Sequence, residues 1–131
     1  MNQLTAEIMA IQTSDGLALI ELKCEGMTFS SLIISNDEDY ISVGKTVYLV
    51  FKETEVAIAI PPVRNISIRN HFPATIENID KGRILSEIKL KFMGLPLKSI
   101  ITSASCEMLD LKIMDQVTAL VKTNEIMLMK I

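Results

Sequence analysis

A chain of 131 residues, 49% hydrophobic and 22% charged, has room for one ordinary domain or two very small ones and enough apolar content to bury a core. Its formal net charge of −3 argues against general nucleic-acid affinity, because neutralising phosphates takes a basic surface. No apolar run approaches the roughly 20 residues of a membrane span, so no membrane partner is expected. Met1-Asn2-Gln3-Leu4 lacks the basic and apolar regions of a secretory signal, so the cytoplasm is the expected compartment. One histidine and two scattered cysteines, Cys24 and Cys106, do not have zinc-site spacing, and the thiols read as free and buried.

In chain order, Leu4, Ala6 and Ile8 alternate with polar residues up to Ile11, the period of a half-buried strand. Asp15-Gly16 is a turn. Ala18, Ile20, Leu22 and Cys24 mark a second strand, broken at Gly26. Phe29 to Ile34 is a third and denser one. The run from Asn36 to Ile41 reads as a short helical turn, with Asn36 as cap and acids at its start, ended by Gly44-Lys45. Thr46 to Lys52 and Val56 to Ile60 follow as fourth and fifth strands.

Pro61-Pro62-Val63-Arg64 is a stiff connector, since each proline fixes its own φ and restricts the residue ahead of it. Beyond it the same order returns. Phe72 to Ile79, Ile84 to Phe92 and Leu97 to Thr102 are strands, punctuated by Lys81-Gly82 and Gly94. Ser103 to Leu111 is a short helix with Met108 and Leu109 expected inward. Gln116 to Lys122 and Ile126 to Met129 complete the set.

The recurrence holds residue by residue. Asn2, Ala6, Ile8 and Ile11 match Asn70, Ala74, Ile76 and Ile79 at an offset of 68. Ser31-Leu32-Ile33-Ile34-Ser35 matches Ser99-Ile100-Ile101-Thr102-Ser103 at the same offset, and Val47, Lys52 and Glu55 match Val117, Lys122 and Glu125 at 70. Five strands with a helix between the third and fourth is the order of an OB-like barrel. The expected fold is therefore all-β: two tandem OB-like five-stranded barrels over residues 1–60 and 67–131, with 61–66 as linker. A barrel of roughly 60 residues is marginal alone, so the two should pack together and the chain should self-associate.

Chemistry-bearing residues concentrate in the second repeat. Ser67, Arg69 and Asn70 lie at the joint. Thr102-Ser103-Ala104-Ser105 opens a helix, whose first N–H groups attract anions. Lys122-Thr123-Asn124 follows a strand. Arg69 and Lys122 would add full positive charge. Taken singly, each has an ordinary explanation. A serine before a helix is commonly a cap, a lysine at a strand end protects the edge, and an arginine in a linker is a surface charge. Composition and spacing carry an anion-binding module only as one reading among these.

These residues also resemble a known family. Ser67-Ile68-Arg69-Asn70 resembles the Ser-x-Arg-Asn opening of the Mop (molbindin, TOBE-related) molybdate-binding domain. Ile101-Thr102-Ser103-Ala104-Ser105 resembles its Ile-Thr-x-x-Ser segment, and Lys122-Thr123-Asn124-Glu125-Ile126-Met127-Leu128 its Lys-Ala-Ser-x-Val-Met-Leu ending. The likeness covers Ser67 to Ile131 well and Met1 to Ile60 more faintly, as in a tandem arrangement without a DNA-binding part. It implies reversible binding of molybdate or tungstate between subunits of a homo-oligomer, a trimer or a dimer. The implied oxyanion residues are Ser67, Arg69, Lys122 and Thr123 of one chain with Thr102 and Ser105 of its neighbour. Asn70 and Ser103 belong to the same motifs, and Lys52 is the first-repeat counterpart of Lys122.

The first repeat departs from that pattern. Met1 stands at the arginine position, Ile34 at the threonine, and Asp37, whose carboxylate would repel a dianion, at the position of Ser105. The chemistry of the second repeat suits a fully ionised oxyanion, which only accepts hydrogen bonds. Hydrogen phosphate would leave its proton unpaired, at about 1–3 kcal/mol. The expected function is molybdate storage or homeostasis. Alternatives are a molybdate-sensing module acting on a protein partner, or an OB-type interaction domain without this ligand. An aromatic content of 5% is poor for base stacking, and no nucleophile–base pairing points to an enzyme.

Overall fold

The computed structural model describes residues 1–35 and 37–131. Its strands are β1 (Asn2–Ser14), β2 (Leu17–Cys24), β3 (Met27–Ile34), β4 (Thr46–Phe51) and β5 (Ala57–Ala59), then β6 (Asn70–Lys81), β7 (Leu85–Phe92), β8 (Leu95–Thr102), β9 (Gln116–Val121) and β10 (Met127–Met129). Among the described residues one α-helix, α1 (Ser103–Met108), follows β8, and a 3-10 turn precedes each of the short strands β5 and β10. The expected alternation is present: in β2 the residues Ala18, Ile20, Leu22 and Cys24 are buried and their neighbours exposed. Met93 and Gly94 both have positive φ, which suits the tight β7–β8 hairpin, because two left-handed residues match the twist of the strands they join. Each long first strand carries a bulge, at Ile8/Ala10 in β1 and at Ile76/Asn78 in β6, again 68 residues apart.

The fold is all-β, with two five-stranded sheets ordered β10-β4-β1-β2-β3 and β5-β9-β6-β7-β8. Each sheet takes its fifth strand from the other half. β5 pairs with β9 (Ala57↔Leu120 to Ala59↔Thr118) and β10 with β4 (Met127↔Val50 to Met129↔Tyr48). The linker at 61–66, with its cis Pro61–Pro62 peptide, thus divides the sequence but not the sheets.

The exchange is sewn by buried polar groups at matched positions. Ser31 Oγ donates to the carbonyl of Ile126 and Ser99 Oγ to that of Val56, both at 2.7 Å, just ahead of the exchanged strands. The Asn70 side chain grips the main chain of Ser30 on β3, and Asn2 grips that of Lys98 on β8. One continuous core results, centred on Phe29 from the first half and Phe72 and Phe92 from the second, with ring centroids 4.8–5.9 Å apart.

Two expectations need correction. The first repeat has no helix between β3 and β4 among the described residues, where residues 39–44 form turns and bends. The proposed cap, Asn36, lies outside the described residues. In the second half Thr102 caps α1 by accepting from the Ser105 N–H, whereas its counterpart Ile34 has no acceptor to offer. Met108 does not face inward: it is 79% exposed, because in a six-residue helix the inward face is taken by Ser103 and Cys106, three apart. Leu109 does pack against the core.

Candidate anion-binding site

The pairing of β6 with β9 brings the two cations together. The ladder runs from Thr75↔Gln116 to Asn70↔Val121. One step beyond its end, Arg69 stands opposite Lys122. Both are exposed, and neither lies within ion-pair distance of a carboxylate among the described residues. Two like charges at facing positions repel. Lys122 also opens a 3-10 turn, closed by the Glu125 N–H donating to the Lys122 carbonyl at 3.0 Å, and Thr123 is the first residue inside it. Ser67, Ile68, Arg69, Lys122 and Thr123 together line a small cavity of about 70 Å³. Two cations and two hydroxyls around an opening of that size make a set that donates strongly to an anion.

The remaining expected residues fall elsewhere. Thr102 and Ser105 sit together at the start of α1, with Thr102 Oγ1 donating to Ser105 Oγ at 2.8 Å and accepting from the Ser105 N–H at 3.1 Å. They do not line the Arg69–Lys122 cavity. Ser103 is buried and occupied: its Oγ donates to the Gly82 carbonyl at 2.7 Å, so the 2.8 Å bond to Ser86 must be donated by Ser86. It fastens the helix to the β6–β7 hairpin. The same hairpin requires Gly82, where an added Cβ would lie 2.4 Å from the Leu85 carbonyl oxygen. Asn70 is 1% exposed, and both ends of its amide bond the Ser30 main chain at 2.7 and 2.8 Å. These contacts make Asn70 and Ser103 supports rather than lining.

In the first half the equivalent place differs in charge. Asn2↔Phe51 ends that ladder, so Met1 stands opposite Lys52. Glu53 occupies the position of Thr123, and its carboxylate accepts from the Met1 amine at 3.0 Å. Its own backbone N–H, then that amine, hold the Glu53 carboxyl below its ordinary range. A carboxylate thus already sits where the second half offers a hydroxyl. Among the described residues, no group of three or more His, Cys, Asp or Glu side chains is arranged to hold a metal ion. No helix among them is long and apolar enough to cross a membrane.

Sequence reasoning named Ser67, Arg69, Lys122 and Thr123, which line one cavity, but not how they meet. The register was accessible in principle, since β6 and β9 are long enough to align. It missed the supporting roles of Asn70, Ser103, Ser31 and Ser99. The available signal was the recurrence of Asn2/Asn70 and Ser31/Ser99 as polar residues on apolar strands in both repeats.

Comparison with known proteins extends this picture. Residues 66–128 match the TOBE domain family. None of the curated proteins compared with the chain matches it. Among solved structures, the cytoplasmic molybdate-binding protein ModG, in a crystal form with molybdate bound, superposes with a TM-score of 0.93 at 21% identity, covering 99% of this chain and 96% of that one. It shares the whole tandem fold. A molybdate-binding protein from Sporomusa ovata aligns at 42% identity over 45% of this chain and 88% of its own, with a TM-score of 0.44. The TOBE domain match thus spans the second repeat, residues 66–128, which holds Arg69 and Lys122.

Proposed function

We propose that this chain is a Mop-type protein that binds molybdate reversibly, and tungstate by the same chemistry, as an intracellular store of molybdenum. It acts in the cytoplasm, as a binding protein rather than an enzyme. The observation that carries the reading is the facing pair Arg69 and Lys122, exposed, without a carboxylate partner among the described residues, and flanked by Ser67 and Thr123 around one small cavity. A dianion placed there relieves the repulsion and accepts charge-assisted hydrogen bonds. The molybdate-bound relative with the same fold supports the choice of ion. Thr102 and Ser105, exposed to half-buried at the start of α1, supply hydroxyls to the site of a neighbouring copy, so the shell is divided among chains of a homo-oligomer, a trimer by the family resemblance. Dividing the shell suits the ion, because burying a dianion costs too much without several charged and hydrogen-bonding partners around it.

Native mass spectrometry with and without molybdate tests this. The expected spectrum is an oligomer carrying a fixed number of molybdate ions, saturating at micromolar ligand. A monomer, or an oligomer that takes up no molybdate under those conditions, refutes the proposal.

A further inference from the structure

The cavity lies in the second half of the chain, but both of its arms are held by two consecutive serines of the first half. On one arm, Asn70 directly follows Arg69. Its Oδ1 accepts from the Ser30 N–H at 2.7 Å and its Nδ2 donates to the Ser30 carbonyl at 2.8 Å. On the other arm, Lys122 opens a 3-10 turn that ends at Ile126. The carbonyl of Ile126 accepts from Ser31 Oγ at 2.7 Å, and Ser31 is fully buried. Neighbouring positions on β3 therefore hold the main chain beside both cations, in addition to the β6–β9 ladder.

We propose that Ser31 is a positioning residue for the oxyanion site, and that through it the first half of the chain, poor in site residues of its own, fixes the geometry of the site in the second. This rests on the binding function proposed above. Ser31 touches no ligand. It acts by holding the Lys122–Ile126 turn against β3 while Asn70 holds Arg69 to the same strand. Without the Ser31 bond, the turn keeps its own Glu125-to-Lys122 closure and the packing of Ile126, but loses its hydrogen bond to the strand that fixes Arg69.

The repeat supplies a matched control. Ser99 is equally buried and donates to the Val56 carbonyl at the same 2.7 Å, and Asn2 grips Lys98 as Asn70 grips Ser30. The turn held by Ser99 begins at Lys52, opposite Met1 rather than an arginine, and carries Glu53 in place of Thr123. Ser31 and Ser99 thus make the same structural bond at two places, and only one of those places is the Arg69–Lys122 site.

The test compares the full chain with its Ser31→Ala, Ser99→Ala and Ser31→Thr variants, titrated with sodium molybdate by calorimetry and melted without ligand. Both alanine variants are expected to melt lower by similar amounts. Only Ser31→Ala should bind more weakly, by about tenfold, the low end of what losing a supporting hydrogen bond costs a bound ion. Ser31→Thr, which keeps the hydroxyl, should restore affinity. Equal loss of affinity in the two alanine variants, or wild-type affinity in Ser31→Ala, overturns the proposal. Should Ser31→Ala not fold, the pair Asn70→Ser and Asn2→Ser decides by the same comparison, with weaker binding expected only in the first. Absence of molybdate binding by the wild-type chain removes the functional reading itself, a result distinct from equal behaviour of the paired variants.

Discussion

Replacing Lys122 with methionine removes one of two facing charges while keeping most of the side-chain stem. In the ligand-free protein, Lys122 stands one step past the Asn70↔Val121 pair, opposite Arg69, with no carboxylate partner among the described residues. Like charges at facing strand positions cost about 0.2–1 kcal/mol. Lys122→Met should therefore leave the free protein as stable as before or raise its melting temperature, by up to about 4 °C for a chain of this size. The gain should fade with added salt, because both groups are exposed and screened. Binding should move the other way. A hydrogen bond to a charged partner contributes about 1.5–3 kcal/mol, so molybdate affinity should fall roughly 10- to 100-fold. Differential scanning fluorimetry at low ionic strength and equilibrium dialysis with molybdate read the two effects separately. A variant that loses several degrees without ligand, or binds as tightly as wild type, refutes the view of this pair as an anion clamp.

Phe92→Ala should destabilise the protein by about 3–5 kcal/mol, because Phe92 is fully buried and packs on both Phe72 and Phe29. Calorimetry should show one transition, since that cluster and the exchanged strands bind the halves into one unit; two separated transitions would contradict the interlock. Gly82→Ala forces a Cβ against the Leu85 carbonyl and should cost about 1–3 kcal/mol by chemical denaturation, with wild-type stability as the contrary result. Burial first, and the Glu25 carboxylate second, push the Cys24 thiol above its ordinary value. Native protein at pH 8 should react with a thiol-specific disulfide reagent at Cys24 only as fast as it opens, whereas immediate reaction would place Cys24 at the surface.

Much of the fold is written in short-range pattern. Alternation along β2 and β7, the glycine turns at Gly26 and Gly94, and the 68-residue offset place the long strands and reveal the duplication. The exchange of fifth strands is not legible that way. β5 and β10 are three residues each, too short for a period, and they pair across the two halves beside buried bonds from Ser99 and Ser31 to main-chain carbonyls. Among the described residues the first repeat has no such helix, and Ile34 stands where Thr102 caps α1, a difference visible in the alignment of repeats but outweighed there by the acids that follow.

The candidate site was legible by type rather than by arrangement. Arg69 and Lys122 stand out as basic residues beside hydroxyls, yet it is the register of β6 on β9 that sets them face to face. Ser103 and Asn70 carry the right donors and are consumed elsewhere, by Gly82 and Ser30, which no spacing rule reports. Residues that look alike in sequence separate by burial: the groups available to a ligand are the exposed or half-exposed ones, and the buried ones hold strands.

Crystals grown with molybdate, measured at the molybdenum absorption edge, test the central claim most directly. The account predicts an anomalous peak between Arg69 and Lys122 of one copy, with Thr102 and Ser105 of an adjoining copy completing its shell. A molybdenum peak remote from Arg69 and Lys122, or none in crystals saturated with ligand, would contradict it.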